Sequence, residues 1–541
     1  MNNRSRFYRK MLYLFGFLAL LVPIAMLSSP GVLNDQGQLV GRPGKLAQIR
    51  HEAKLSQADL GEIDPAGETM KLATLGLKGI AVNILWNRAN DYKMKENWTA
   101  LSATLEQIRK LVPNYVSVWQ FQAWNLSYNV SVEFDDYRDR YRWVIRGINF
   151  LKEGTRYNAN NPPLLWDMGW TIGQKIGRAD EHVQFRRLFK EDDEFHGARR
   201  KEDRDNWLVG QQWFRQAENA VDNLGALISG LNPNLDIGQK RGKSPLIFFS
   251  DAPKCQMNYA EAMEEEGTFG EVAQKAWKDA GKMWTEYGNR DLATTYNEDI
   301  QLNEKERQTE LAKKDLADLE KMLPAGEREK IRQEKIKALS NREQIALNMD
   351  PGKRNPDQQN LMYGVEEKIK VTPSNLANRV PEKQRPEALE LADKVMREEN
   401  IAGIIDRYRE IVNFDYWRLR CNVEQTDNAL QGRRLLYQAS LDFDPGGKLP
   451  EAKQQFEEGF KKWRAVLDEF PALLNENTMT EDLADYIKIY ERLLHQIEEK
   501  LPEDFPLKDV IEREQEHLDE PPVVDQGVEA KEKLKELGVE E

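Results

Sequence analysis

Histidine is the side chain best suited to proton transfer and metal binding near neutral pH. The chain has five: His51, His182, His196, His495 and His517. None has another histidine or a cysteine three or four positions away, so no helical metal pair exists. His182 and His196 flank the acidic run Glu191 to Glu194, where a solvated helix face is the stronger reading. Glu133, Asp135 and Asp136 sit beside Tyr137 and Tyr141. Acids among aromatics are the ingredients of a glycosidase cleft, in which two carboxylates flank the scissile bond. The same residues arise in any insertion packed against helices. No GxSxG, P-loop or GxGxxG motif occurs, so acyl transfer, nucleotide hydrolysis and dinucleotide chemistry lack support. Cys255 and Cys421 form no CxxC or Cys/His zinc pattern, and they read either as a disulfide across the fold or as two free buried thiols. The sequence therefore predicts no catalytic residue, no metal and no cofactor.

The elements that would position any site are helical. No segment sustains the period-two alternation of a strand, and Pro245 to Phe249 is the one short apolar burst that could pass for one, a buried loop being favoured. At 541 residues the chain exceeds one compact core and suits an extended helical array or several domains. The stretch from Asp64 to Gly173 holds Trp86, Trp98, Trp119, Trp124, Trp143, Trp166 and Trp170, with Ala89, Ala123 and Gly169 close by. Large and small residues at helical spacing are what antiparallel helices need to interlock. Asp64 and Pro65 mark a helix start.

From there the pattern resembles tetratricopeptide repeats (TPR), helix–turn–helix units of about 34 residues that stack into a solenoid. With Val82 as position 1, the large, small and aromatic positions are Leu85, Ala89 and Tyr92. The second helix carries Leu101, Leu105 and Ile108, and Pro113 closes the unit. The next unit starts at Val116, with Trp119 and Ala123 in register, and Val130 to Arg140 reads as an insertion between its helices. Trp143, Gly147 and Leu151 lie beyond it. A third unit begins at Trp166, Gly169 and Trp170, and its second helix is expected over His182 to Phe195. Ala273 and Trp277 are a degenerate echo. A better one spans Leu436, Ser440, Phe443, Ala452, Phe456 and Gly459, with a turn at Pro445-Gly446-Gly447. The wording from Gly76 to Trp124 also resembles a group of uncharacterised membrane-anchored bacterial proteins with TPR-like domains, which implies architecture and location only.

In this repeat class Trp86 and Trp124 would face the concave groove, and Asn83, Asn90, Gln120 and Ser127 share that register. The resemblance implies a peptide- or glycan-binding surface of amide and aromatic groups. The carboxylate clamp of chaperone-binding members is expected to be missing, because Trp86 and Phe121 stand at two of its positions and only Asn90 matches.

Arg4, Arg6, Arg9 and Lys10 precede the uncharged run Met11 to Leu27, seventeen residues that span roughly 25 Å as a helix. We read residues 11–28 as an uncleaved signal anchor rather than a cleaved peptide, since no A-x-A site or lipobox cysteine is present. The positive-inside rule leaves residues 1–10 cytoplasmic and the bulk extracytoplasmic, on the periplasmic side. The alternative topology leaves the acidic bulk in the cytoplasm.

Residues 29–62 read as a linker and 63–297 as the aromatic-rich repeats. Residues 298–349 read as a charged hairpin, with a seam of Leu311, Leu316, Leu319 and Leu323 against Ile331, Ile336, Leu339 and Ile345. A proline-rich linker (350–390), further helices (391–500) and a loosely ordered acidic tail (501–541) complete the chain. The formal charge of −13 argues against general affinity for nucleic acid. The Asn-x-Ser/Thr sequons at Asn97, Asn125 and Asn129 matter only in a host that glycosylates exported proteins. The expectation is an all-α, TPR-like solenoid on a single membrane anchor. It acts as a non-catalytic scaffold for a protein or peptide partner, with envelope polysaccharide as the alternative ligand.

Overall fold

The computed structural model describes residues 78–231, 243–296 and 298–519, with a few positions between Val32 and Gln48. The expected anchor at 11–28, the expected helix start at Asp64 and the tail beyond residue 519 lie outside the described residues. Among the described residues no helix is long and apolar enough to cross a membrane. The fold is all-α apart from two antiparallel pairs of two-residue strands, β1 (Val32–Leu33) with β2 (Leu39–Val40) and β3 (Leu292–Ala293) with β4 (Asp299–Ile300). The chain divides into two compact units, residues 1–280 with 424–541, and residues 281–423.

The first unit opens with α1 (Lys78–Met94) and α2 (Trp98–Leu111), a helical pair. Asn97 starts α2 by accepting the Ala100 N–H. Leu101, Leu105 and Ile108 are fully buried against Ala89, as the spacing predicts. Next comes α3 (Val116–Trp124), which runs on through a π-helical turn (Asn125–Val130) and a 3-10 turn (Ser131–Glu133) before α4 (Tyr137–Tyr157). The expected insertion at 130–140 is thus divided, residues 130–133 prolonging α3 and 137–140 opening α4. Trp119 and Ala123 are buried where α3 meets α4. Gly147 lets the two backbones close, since a Cβ there would stand 2.7 Å from the Ala123 carbonyl oxygen.

The next pair repeats this construction. After Asn161 as cap comes α5 (Pro162–Trp170), and it too passes into a six-residue π-turn, Thr171–Ile176. Its main partner is not the expected helix at 182–195. That stretch forms α6 (His182–Glu191) and α7 (Asp193–His196), and α6 caps the core with Phe185 and Phe189. The partner of α5 is α8 (Asn206–Leu231), where Gly210 meets Gly169 as Gly147 meets Ala123. The Pro245–Phe249 burst is neither strand nor loop. It forms α9 (Pro245–Phe248), capped by Ser244, with Leu246 and Phe248 buried. Behind it stand α10 (Asp251–Glu265) and α11 (Glu271–Gly288), in which Ala273 and Trp277 are fully buried.

In the second unit α12 (Lys305–Lys321) is followed by α13 (Glu327–Lys337), α14 (Asn341–Asn348), α15 (Pro356–Ile369), α16 (Pro373–Ala377), α17 (Arg385–Ile411) and α18 (Phe414–Glu424). The two-helix hairpin expected at 298–349 is not what forms. Instead α12 lies along α17, and Leu319 and Ile331 share a core with Leu376, Val380 and Ala388. Ile336 and Leu339 belong to another cluster with Met362 and Val365, and Ile345 is exposed. Nor is 350–390 a linker: Pro356, Pro373 and Pro386 occupy first turns of helices, where proline's missing N–H costs nothing.

The chain returns to the first unit with α19 (Asp427–Phe443) and α20 (Leu449–Glu469), an antiparallel pair in which Leu436, Ala452 and Phe456 are fully buried. The remaining helices are α21 (Asn477–Gln496) and α22 (Lys508–Asp519). Residues 501–519 are packed rather than loose, with Phe505 against Phe460 and Leu507 and Val510 fully buried.

Candidate functional site: an aromatic row and a groove on two sides of one helix

Helix α3 lies between two surfaces. On one, residues at i and i+4 (Gln120, Trp124 and, past the start of the π-turn, Tyr128) join an aromatic row. Ring centroids run from Trp86 to Phe121 at 6.0 Å, Phe121 to Trp124 at 6.1 Å and Trp124 to Tyr128 at 6.2 Å. The row crosses to the next helical pair through Tyr128 and Trp170 at 6.3 Å and ends with Trp166 at 6.4 Å. The last three pairs are near-parallel, with interplanar angles of 20°, 29° and 21°. Lys93 approaches Phe121 at 5.2 Å, Lys175 lies over Tyr128 at 4.5 Å, and Lys243 over Trp166 at 3.9 Å. Such contacts place cations along the row.

Between the rings is a cavity of about 230 Å³ lined by Gln120, Trp124, Tyr128, Asp167, Trp170 and Thr171. The Gln120 amide donates to Asp167, and Trp166 Nε1 donates to Asp251 at 2.7 Å. Burial pushes both Asp167 and Asp251 up from the ordinary carboxylate range, against the pull of Lys243. Burial also pushes Tyr128 up to about 12 and draws Lys175 down.

Of the residues expected in the groove, Trp86, Gln120 and Trp124 belong to this row or its cavity. Trp86 is half-buried and also contacts Tyr115, whereas Trp124 is 42% exposed. Asn83 and Asn90 are exposed on α1. Ser127 is the correction. It is fully buried, its hydroxyl donating to the Val144 carbonyl at 3.4 Å beside Gly147.

The other side of α3 carries Gln122, Leu126 and Val130, again four apart, on the floor of a groove between α2 and α4. Its volume is about 770 Å³, with Trp98, Phe134, Trp143 and Phe150 as apolar walls and Glu106, Glu133, Glu153 and Arg146 among the polar lining. Trp98 Nε1 donates to Glu133 at 3.3 Å, and Phe134 stacks on Trp143. Arg109 bridges Glu106 and Glu153 and is held charged chiefly by Glu106.

The carboxylates around 133–136 have separate hydrogen-bond partners. Glu133 accepts from Trp98, and Asp136 caps α4 by accepting the Arg138 N–H. Tyr141 donates to Asp192 instead of joining them. Of the histidines, His182 Nδ1 contacts the Ala179 carbonyl and His196 Nε2 donates to that of Phe189. Among the described residues no group of three or more His, Cys, Asp or Glu side chains could hold a metal ion.

Tyr128, Trp170, Asp167 and the three lysines went unread in the sequence. For Trp170 a signal exists at a second spacing. Adding 46 takes Ala123, Trp124, Leu126 and Ser127 to Gly169, Trp170, Ile172 and Gly173, and takes one π-turn to the start of the other (125 + 46 = 171).

No family model matches the chain, and none of the curated proteins matches it in sequence.

Proposed function

We propose that this protein is a TPR-like helical scaffold or adaptor, anchored in the membrane by residues 11–28. It would hold another polypeptide against the face carrying Trp86, Gln120 and Trp124, with no catalysis of its own. The observation that carries this reading is the continuous row from Trp86 to Trp166, with Trp124 exposed in its middle and lysines along it. Rigid aromatic rings give large contact area at little entropic cost, and a row of them accepts an extended chain. Stacked helical pairs generally act by presenting such surfaces. The bulk of the chain then lies outside the cytoplasm, on the periplasmic side.

The near-parallel rings at Trp124, Tyr128 and Trp170 favour one second reading, binding of envelope polysaccharide, because sugar faces stack on exposed aromatic planes. Crosslinking the full-length protein in its native membrane separates the two. Reproducible protein partners lost on replacing Trp86 and Trp124 support the scaffold. Recovery of glycan without protein supports the alternative, and a partner set indifferent to both tryptophans overturns each.

A further inference from the structure

We propose that the groove between α2 and α4 is a second peptide-binding site, separate from the aromatic row. It would take a short segment that carries an apolar anchor beside an arginine or lysine.

Four observations converge. First, the groove has size and shape: about 770 Å³ is within the usual range of about 300–1,000 Å³ for ligand sites. Its α4 wall runs from Trp143 to Glu153, eleven residues that span roughly 15 Å of helix. Second, its floor and walls are apolar where an anchor would seat, between Leu126, Val130, Trp98 and Phe150. Third, the floor contains an unmet need. Gln122 is 5% exposed, and its Oε1 is buried with no hydrogen-bond partner. A buried acceptor left unpaired is destabilising. A ligand N–H, from guanidinium, ammonium or indole, would satisfy it.

Fourth, the lining charge favours a cation. Glu106, Glu133 and Glu153 oppose Arg146 alone; even counting Arg109, which bridges two of them, the balance stays negative at one (three acids, two bases). Arg146 is also engaged over the Trp143 ring at 4.8 Å. Glu133 has the Trp98 indole as neighbour and room on its exposed side for a second donor. An acidic segment would meet three carboxylates; a purely apolar one would leave Gln122 unpaired.

The test uses the purified full-length chain in detergent and a displayed library of random peptides. Selected peptides are then measured against the parent protein and three variants. Ala103 is exposed on the α2 wall, so Ala103→Arg fills the groove with bulk and positive charge without touching the core. Gln122→Met keeps the volume and removes the acceptor. Trp124→Ala alters only the other surface.

The expected result is enrichment of peptides pairing Trp, Phe or Leu with Arg or Lys. Their affinity should fall more than about tenfold with Ala103→Arg and by about tenfold with Gln122→Met, and stay within about twofold with Trp124→Ala. Gln122→Met should leave the melting temperature unchanged or raised, because the unpaired carbonyl is gone. Selection of acidic peptides, binding indifferent to Ala103→Arg, or a melting temperature lowered by Gln122→Met with affinity intact would each overturn the proposal. Failure of the aromatic row to bind anything would leave it untouched, since Trp124→Ala reads that row separately.

Discussion

Gln122 and Trp124 stand two residues apart on α3, about 200° around the helix from one another. The Trp124 ring is 42% exposed in the aromatic row, while the Gln122 amide is buried on the floor of the α2–α4 groove. Trp119, on a third side, is fully buried against α4, its ring stacked near Tyr157 and its Nε1 donating to the Pro113 carbonyl at 2.7 Å. One helix thus supports two surfaces and a core at once.

The two tryptophans should therefore respond differently to truncation. Trp119→Ala removes a core side chain and a buried hydrogen bond, and should cost about 3–5 kcal/mol. Trp124→Ala should leave helicity and melting temperature nearly unchanged while weakening partner capture. Circular dichroism of both variants checks this, and unfolding by Trp124→Ala would make that residue part of the core.

The glycines at the two crossings invite a paired test. Gly147→Ala would press a methyl into the Ala123 carbonyl, and Gly210→Ala into that of Gly169 at 3.0 Å. Each should lower stability by about 1–3 kcal/mol. Gly364 in α15 and Gly403 in α17 have nothing within 4 Å of such a methyl. Alanine at either should stabilise by about 0.5–1 kcal/mol, by removing glycine's excess freedom in the unfolded chain. Melting curves of the four variants should split two and two.

How far the sequence could be read depends on where its helices stay regular. The burial of Leu101, Leu105, Ile108, Trp119 and Ala123 was legible because α1–α3 follow the 3.6-residue period up to Trp124. Ser127 was misplaced because the repeat register set it on the face of Gln120 and Trp124, whereas it follows buried Ala123 by four residues. Ala123 and Ser127 therefore both meet Gly147, on the side of the helix that packs on α4. The partner of α5 was misassigned for another reason. Adjacency in sequence favoured 182–195, but the small residues Gly169 and Gly173 match Gly210, beyond α6 and α7. Prolines misled at 350–390, where they open helices rather than break them.

Both cysteines are buried thiols. Burial also pushes the Cys255 thiol well up, so little reactive thiolate forms there. Intact protein at pH 8 should resist an aromatic disulfide reagent and release two equivalents only in denaturant. A reductant should leave the melting temperature unchanged; a shift would mean that a disulfide is present.

Acid should act on the second unit through Glu306. The Arg409 guanidinium is almost fully buried on α17 and donates to Glu306 at 2.8 and 3.0 Å and to the Leu302 carbonyl at 2.7 Å. Its hydrogen bonds hold the Glu306 carboxyl down to about 2, from an ordinary value near 4.5. A carboxylate depressed in this way contributes stability in full above about pH 4.5, and the contribution is lost as pH falls toward about 2. Residues 281–423 should therefore exchange amide hydrogens faster across that window. Glu306→Gln keeps the shape but not the charge, so it should raise exchange at neutral pH and flatten the dependence between pH 4.5 and 2. Because Glu306 is largely exposed, solvent screens the pair, and the neutral-pH effect should be modest even though it leaves Arg409 with Asp415, at 3.5 Å, as its nearest remaining carboxylate. An unchanged pH dependence in the Gln variant would assign the acid sensitivity to other groups, of which Glu343, held down to about 2 chiefly by Lys368, is the first to replace.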